Sequence, residues 1–328
     1  MRQKRVVVIG GGTGTYVTLT GLKKYDLGLT AIITMMDSGG SSGKLRDELG
    51  VLPPGDIRQC IVALSTSSKL LREMFNYRFQ KGTFVGHSFG NIFLSTLEKT
   101  TGSMKRAIAE VGKILRIQGS VIPVTFSKSD LCVTLSDGKT IVGETHIDVV
   151  EKKEKRATIV SAFLEPEASA NPDALQAIEK ADYILIGPGD LYTSIIPNLL
   201  VERVRSAIQK SKGKKIFTLN IMTKYGQTTR YTARDHIRDL EKYLGKGVID
   251  MVLVNKKKPR KETLAWYADF EEFPVEDNLP EKTSHQIIRA DLIKDVILGR
   301  VKGDELKRSI IRHDPQKLAK ILISIIND

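Results

Sequence analysis

Arg5-Val6-Val7-Val8-Ile9-Gly10-Gly11-Gly12-Thr13-Gly14 decides the fold of this chain. The run 5–9 is apolar and β-branched without polar alternation, the pattern of a strand buried on both faces of a parallel sheet. The glycines that follow form a turn, and residues 15–24 carry a helical pattern. Strand, glycine turn and helix in that order bring bare backbone and unpaired helix-start N–H groups to one point, which suits an anion. The dinucleotide fingerprint G-x-G-x-x-G fails, because counting from Gly10 and Gly12 its third glycine falls on Thr15. The lysine of a phosphate-binding P-loop is also missing. The segment is therefore either a phosphate-type loop of a non-standard kind, centred on Gly11, Gly12, Thr13 and Gly14, or a structural tight turn.

Working outward, residues 30–36 read as a second buried strand. It runs into Asp37-Ser38-Gly39-Gly40-Ser41-Ser42-Gly43-Lys44. A glycine loop after the second strand faces the same sheet edge as the first. With an acid at its head and hydroxyls behind, it is expected to form a second anion nest. Next comes Pro53-Pro54-Gly55-Asp56, where Asp56 is either a helix N-cap or a carboxylate holding a ligand group or metal. In Gly86-His87-Ser88-Phe89-Gly90-Asn91, Asn91 is the candidate contact for a base or sugar. Gly187-Pro188-Gly189-Asp190 repeats the strand-to-helix crossing, and Asn220 and Thr223 close another strand.

Helical patterns are expected at 57–64, 70–79, 92–98 and 103–115. Residues 121–164 change character: two alternating runs flank Asp137-Gly138, a hairpin signal. The α/β alternation then returns, with helices at 172–180 and 233–244, strands at 183–186, 215–220 and 248–255, and a closing helix at 316–326. The fold expected is an α/β, modified Rossmann-like, doubly wound and mostly parallel sheet. It forms a single domain over 1–328 with a β-hairpin insert at about 121–164, within the usual boundary error of ~2–4 residues.

Composition bounds the function. Of 328 residues, 41% are hydrophobic and 27% charged, as in an ordinary globular protein. No stretch approaches the ~20 continuous apolar residues of a membrane span. The N-terminal apolar run is too short for a signal-peptide core, so a cytoplasmic location is expected. Cys60 and Cys132 fit no zinc or redox spacing and read as buried thiols. The 51 Lys+Arg against 38 Asp+Glu favour an anionic ligand. Two charge-dense runs, 151–156 and 256–261, lack interleaved aromatics, which argues against nucleic acid. The first reads as an exposed turn, and the second could adjoin an anion site. No nucleophile elbow, zinc-protease motif or kinase set is present. Catalytic residues are therefore not assigned, and any metal ligands stay unknown beyond a magnesium shared by Asp37 and Asp56.

Read in order, GGGTG, MDSGGSSGKLRDELGVLPPGDIRQCIVAL, GHSFGNIFL, IGPGDLYTSIIPNLL, NIMTKYGQT and IRHDPQKLA resemble the YvcK-type gluconeogenesis factor family. That family is related to the CofD-like phospholactate transferases. The resemblance implies a modified Rossmann-like fold binding UDP-sugars, chiefly UDP-N-acetylglucosamine. It implies a regulatory role in cell-wall precursor homeostasis, cell shape and growth on gluconeogenic carbon, with a cell-wall regulatory protein as partner. Phosphate and ribose contacts carry over to Gly11–Gly14 and to Asp37, Ser38, Gly39 and Gly40. Contacts from the far side fall on Gly187, Gly189 and Asn220, and the family's tyrosine and arginine on Tyr267 and Arg312. Gln227 stands where the family more often has glutamate. The transferase branch would instead imply a guanine-nucleotide-activated substrate with magnesium, and an NAD-binding oxidoreductase is the third reading. A homo-oligomer is open on sequence grounds.

Overall fold

The computed structural model describes residues 2–148, 156–281, 284–294 and 310–327. Ten strands are defined: β1 (Lys4–Gly10), β2 (Leu27–Ile33), β3 (Ser120–Pro123), β4 (Asp130–Leu135), β5 (Thr140–Val142), β6 (Ile159–Glu165), β7 (Tyr183–Ile186), β8 (Lys214–Thr218), β9 (Met251–Asn255) and β10 (Gln286–Ala290). Seven form one sheet in the order β10-β9-β8-β7-β1-β2-β3. Every pairing in it is parallel. From β1 the order runs one way through β2 and β3, and the other way from β7 through β10. The junction of β1 and β7 is thus the topological switch point of a doubly wound sheet.

The strand that opens the chain shows why. Val6, Val7, Val8 and Ile9 are all at most 2% exposed. Val6 and Val8 pack into one core with the helices Thr13–Leu22, Gly55–Leu64 and Pro315–Asn327. Val7 and Ile9 point the other way, into a core with Pro172–Lys180, Ala233–Leu244 and the smaller sheet. Period-two alternation therefore buries both faces, each side chain contributing about 1.5–3 kcal/mol.

The hairpin at Asp137-Gly138 forms, linking β4 to β5, and β6 completes an antiparallel sheet in the order β5-β4-β6. The insert is smaller than expected. Residues 120–123 belong to the main sheet, because Ser120–Pro123 pairs in parallel with β2. Alternating apolar residues look alike at a sheet edge and in a hairpin. The elements that went unread include β10, the helix Lys261–Ala268 and the short helix Glu144–Asp148. The expected loop after the second strand is also corrected: β2 ends at Ile33, and Gly40–Leu49 is a helix. Glycine and serine have low helix propensity. They are tolerated here because Gly43 packs so close to the Ser38 carbonyl that a Cβ would stand 2.0 Å from its oxygen. Most of the charged run 151–156 lies outside the described residues. Cys60 and Cys132 are buried free thiols. Among the described residues no helix is long and apolar enough to cross a membrane.

Candidate functional site

A cleft opens beyond the carboxyl ends of the strands, at the switch point. Its walls include Gly12, Thr13 and Gly14 after β1, Asp37 and Gly39 after β2, and Pro188, Gly189 and Asp190 after β7. Asn220, Thr223 and Lys224 follow β8, and Arg312 and His313 precede the last helix. The two glycine loops touch. A Cβ on Gly14 would lie 1.8 Å from the Pro188 carbonyl oxygen, so only glycine allows this approach. Gly187 holds φ +73°, the left-handed region that glycine adopts freely.

Four helices present their N-termini to this cleft. They begin after Gly12, Gly39, Pro54 and Ser88, and none of these N-cap residues makes a side-chain capping bond. The helices that start after Ser68, Ser103, Asn171 and Thr232 are each closed by such a bond. Short helices elsewhere, among them Ile196–Leu200, Val204–Lys210 and Lys261–Ala268, also lack one. Helix first turns carry partial positive charge on their N–H groups.

Carboxylates stand among these N-termini. The Asp37 Oδ1 atom accepts from the Gly39 N–H at 2.9 Å, and its Oδ2 lies 2.7 Å from where a Cβ on Gly55 would be. The N-cap expected at Asp56 is Pro54 instead. The Asp56 carboxylate lies over Gly11 and Gly12. Gly12 has an ordinary φ of −67°, so it is Asp56, not forbidden backbone, that leaves no room for a side chain there.

Sequence reasoning missed the other half of this wall. The short helix Glu144–Asp148 follows the hairpin and delivers Glu144 and Asp148 to the cleft. Glu144 is pushed well above the usual carboxylate range, first by burial and then by Asp37, Asp148 and Asp56. Opposite, the Lys224 Nζ atom sits 3.2 Å from Asp148 Oδ1. Burial alone would lower the pKa of Lys224, but Asp148, Asp190 and Glu272 outweigh it and hold the ammonium charged. The available signal was Lys224 inside the NIMTKYGQT block and Glu144 directly after Gly143. Gln227 is buried and donates to Asp148 Oδ1 at 2.8 Å. A glutamate there would set carboxylate against carboxylate.

Burial raises Asp190 to about 6, with Lys224 opposing and Asp148 and Glu272 adding. An acid raised on folding binds its proton more tightly in the native state, so stability falls as pH rises from about 4 to 6. Asp190→Asn should flatten that slope. Urea midpoints between pH 4.5 and 7 measure it, and an unchanged slope would mean that Asp190 ionises without cost.

Two candidates that line the cleft, Asn91 and Asn220, also brace their neighbours. The Asn91 side chain donates to Ser41 Oγ at 3.1 Å and accepts from Arg58 Nε at 2.8 Å. Asn220 Oδ1 accepts from the Gly189 N–H at 3.3 Å. Ser38 Oγ lies 3.1 Å from Thr145 Oγ1, tying the second loop to the hairpin insert. Gly11, Ser38, Gly40, Gly187 and Tyr267 do not line the cleft. Tyr267 is 1% exposed, and its hydroxyl accepts from the Ile310 and Ile311 N–H groups at 2.8 and 3.0 Å. It buttresses the segment that carries Arg312. Asp314 Oδ1 accepts from the Gln316 and Lys317 N–H groups, so the last helix is capped beside Arg312 as the sequence led us to expect. Of the basic run 256–261, Lys257 pairs with Asp291 at 3.5 Å, away from the cleft. His313 is buried and held neutral, lowered to about 4 by desolvation. Among the described residues no three His, Cys, Asp or Glu side chains are arranged to hold a metal by themselves.

The architecture defines a class: doubly wound α/β proteins with a cleft where the strand order reverses. Residues 6–293 match the family described as 2-phospho-L-lactate transferase CofD. The chain is 37% identical to the gluconeogenesis factor of Bacillus subtilis (strain 168), covering 100% of both sequences. It is 38% identical to that of Halalkalibacterium halodurans, over 98% of this chain and 97% of the relative. A crystal structure of a UPF0052 family member from Bacillus halodurans superposes with TM-score 0.88 at 36% identity, covering 98% of this chain and 99% of that one. The chain belongs to the CofD family and, within it, to the gluconeogenesis factors.

Proposed function

We propose that the protein binds a UDP-sugar, chiefly UDP-N-acetylglucosamine, in this cleft without consuming it. On this reading it acts in the cytoplasm as a regulator of cell-wall precursor supply, cell shape and growth on gluconeogenic carbon, through a partner in cell-wall synthesis. The observation that carries the ligand class is the convergence of uncapped helix N-termini with Arg312, an anion site of diphosphate character. The cleft encloses about 250 Å³. Cavities that engulf a drug-sized ligand run to ~300–1,000 Å³, so one end of a nucleotide sugar would project from the mouth. Asp37 and Asp56 would repel a bare diphosphate. A magnesium brought with the phosphates would reconcile them, held by Asp37 and Asp56 with phosphate oxygens and water as its other ligands.

The test is a calorimetric titration with UDP-N-acetylglucosamine, with and without magnesium, followed by chromatography of the nucleotide. Intact ligand after prolonged incubation supports a sensor; steady release of UDP or UMP would sink that reading. Glu144 favours a second one. A buried, protonatable carboxyl beside two other acids is what a magnesium-assisted group transfer needs as its acid or base. In that case a guanine-nucleotide-activated phospholactate-type substrate would turn over.

Arg312→Ala is expected to weaken binding by roughly 10- to 100-fold. A charge-assisted hydrogen bond to phosphate contributes ~1.5–3 kcal/mol, at ~1.4 kcal/mol per factor of ten. The thermal midpoint without ligand should barely move. Lost stability with unchanged affinity would assign Arg312 to the fold.

A further inference from the structure

Five of the large apolar side chains that remain exposed fall within residues 70–85. Leu70 is 75% exposed, Met74 41%, Tyr77 54%, Phe84 54% and Val85 51%. Leu70 and Met74 are four apart on the helix Lys69–Asn76 and so share a face, and Tyr77 follows three residues later. The Tyr77 ring contacts Phe79 at 5.2 Å, and Phe79 contacts Phe84 at 5.5 Å. Tyr77, Phe79 and Phe84 thus form an aromatic row that follows the apolar helix face directly in sequence. Phe75, on the same helix, turns the other way and is 1% exposed, so this helix already satisfies the core with its opposite face.

The row is braced. Phe79 N–H donates to the His87 carbonyl, Gly86 N–H to that of Phe79 and Phe89 N–H to that of Tyr77, all at 2.9 Å. His87 Nδ1 lies 3.2 Å from Ser41 Oγ, which anchors the loop to the cleft wall. A braced surface loses little freedom on docking. Tyrosine, phenylalanine, methionine and arginine are the types enriched where proteins meet. Exposed apolar patches of this kind mark interaction sites.

Charge selects the occupant. Lys69, Arg72 and Lys81 fall within this segment, Lys69 being 3.6 Å from Glu73, in a chain of net charge +13, while Arg78 belongs to the cleft wall. A second copy would bring the same basic segment and be repelled. We propose that this surface docks a protein segment that is apolar on one face and acidic along its flanks, separate from the nucleotide-sugar cleft.

Two synthetic amphipathic helices about five turns long test this. Both carry the same leucine face, one with glutamate flanks and one with lysine flanks, each fluorescently labelled. The parent protein should bind the acidic peptide at least about tenfold more tightly than the basic one, a gap of ~1.4 kcal/mol. Leu70→Glu with Phe84→Glu should weaken the acidic peptide by a similar factor, with an unchanged thermal midpoint. If that double variant misfolds, Leu70→Ser at this largely exposed position stands in for it. Equal binding of both peptides, or undiminished binding by the folded variant, overturns the proposal. So does sedimentation equilibrium in which the parent self-associates and the variant is monomeric, since the surface would then serve a second copy.

Discussion

Gly14→Ala should lower stability by about 3 kcal/mol or more, at the top of the ~1–3 kcal/mol usual for overpacking. The added Cβ would lie 1.8 Å from the Pro188 carbonyl oxygen and 2.5 Å from its carbon. Both atoms are backbone and cannot rotate aside, so the two glycine loops must part at the junction of β1 and β7. For a domain with ~5–15 kcal/mol in hand this is a large fraction. Gly12→Ala is the contrast. Its Cβ would meet Asp56 Oδ1 at 2.3 Å and Gln59 Nε2 at 2.6 Å, both ends of flexible side chains. That variant should keep its stability while losing ligand affinity as Asp56 is displaced. Chemical denaturation and calorimetry on the same preparations separate the two. A Gly14→Ala protein as stable as the parent would mean that the loops are not in contact.

Lys224→Met should be comparably damaging. The side chains of Lys224 and Asp148 are 13% and 22% exposed and 3.2 Å apart. Asp190 and Glu272 share the ammonium charge. Removing one partner of a buried pair costs about 3–5 kcal/mol, because the remaining charges stay uncompensated. The pH dependence identifies the cause. Without Lys224, which opposes the rise at Asp190, that carboxyl binds its proton still more tightly folded than unfolded, so stability should recover as pH falls from neutral towards 5. Thermal midpoints at pH 5 and pH 7.5 measure this. A deficit independent of pH would point to lost packing.

The buried strand 4–10, the two glycine crossings and the closing helix are written locally. Unbroken β-branched runs have no stable place except inside a covered parallel sheet, and glycine before a helix leaves N–H groups open. Hence the fold class, and the gathering of Gly12, Gly14, Asp37, Gly189, Asn220 and Arg312 along one cleft, could be read directly. What the sequence did not disclose was the partnership of side chains far apart in the chain. Asn91 looked like a ligand contact and lines the cleft, but its side chain is also engaged by Arg58 and Ser41. Tyr267 was read as a contact, yet its hydroxyl holds the backbone behind Arg312. Glu144 and Asp148 looked like ordinary polar residues after a hairpin, until the insert folded across the sheet edge and set them against Asp37, Asp56 and Lys224. Periodicity and turn chemistry act over a few residues, so they are legible one segment at a time. A buried charge is stabilised only by the groups that surround it, and those come from wherever the sheet order brings them, so tertiary structure alone decided which carboxylates and which cation share the cleft.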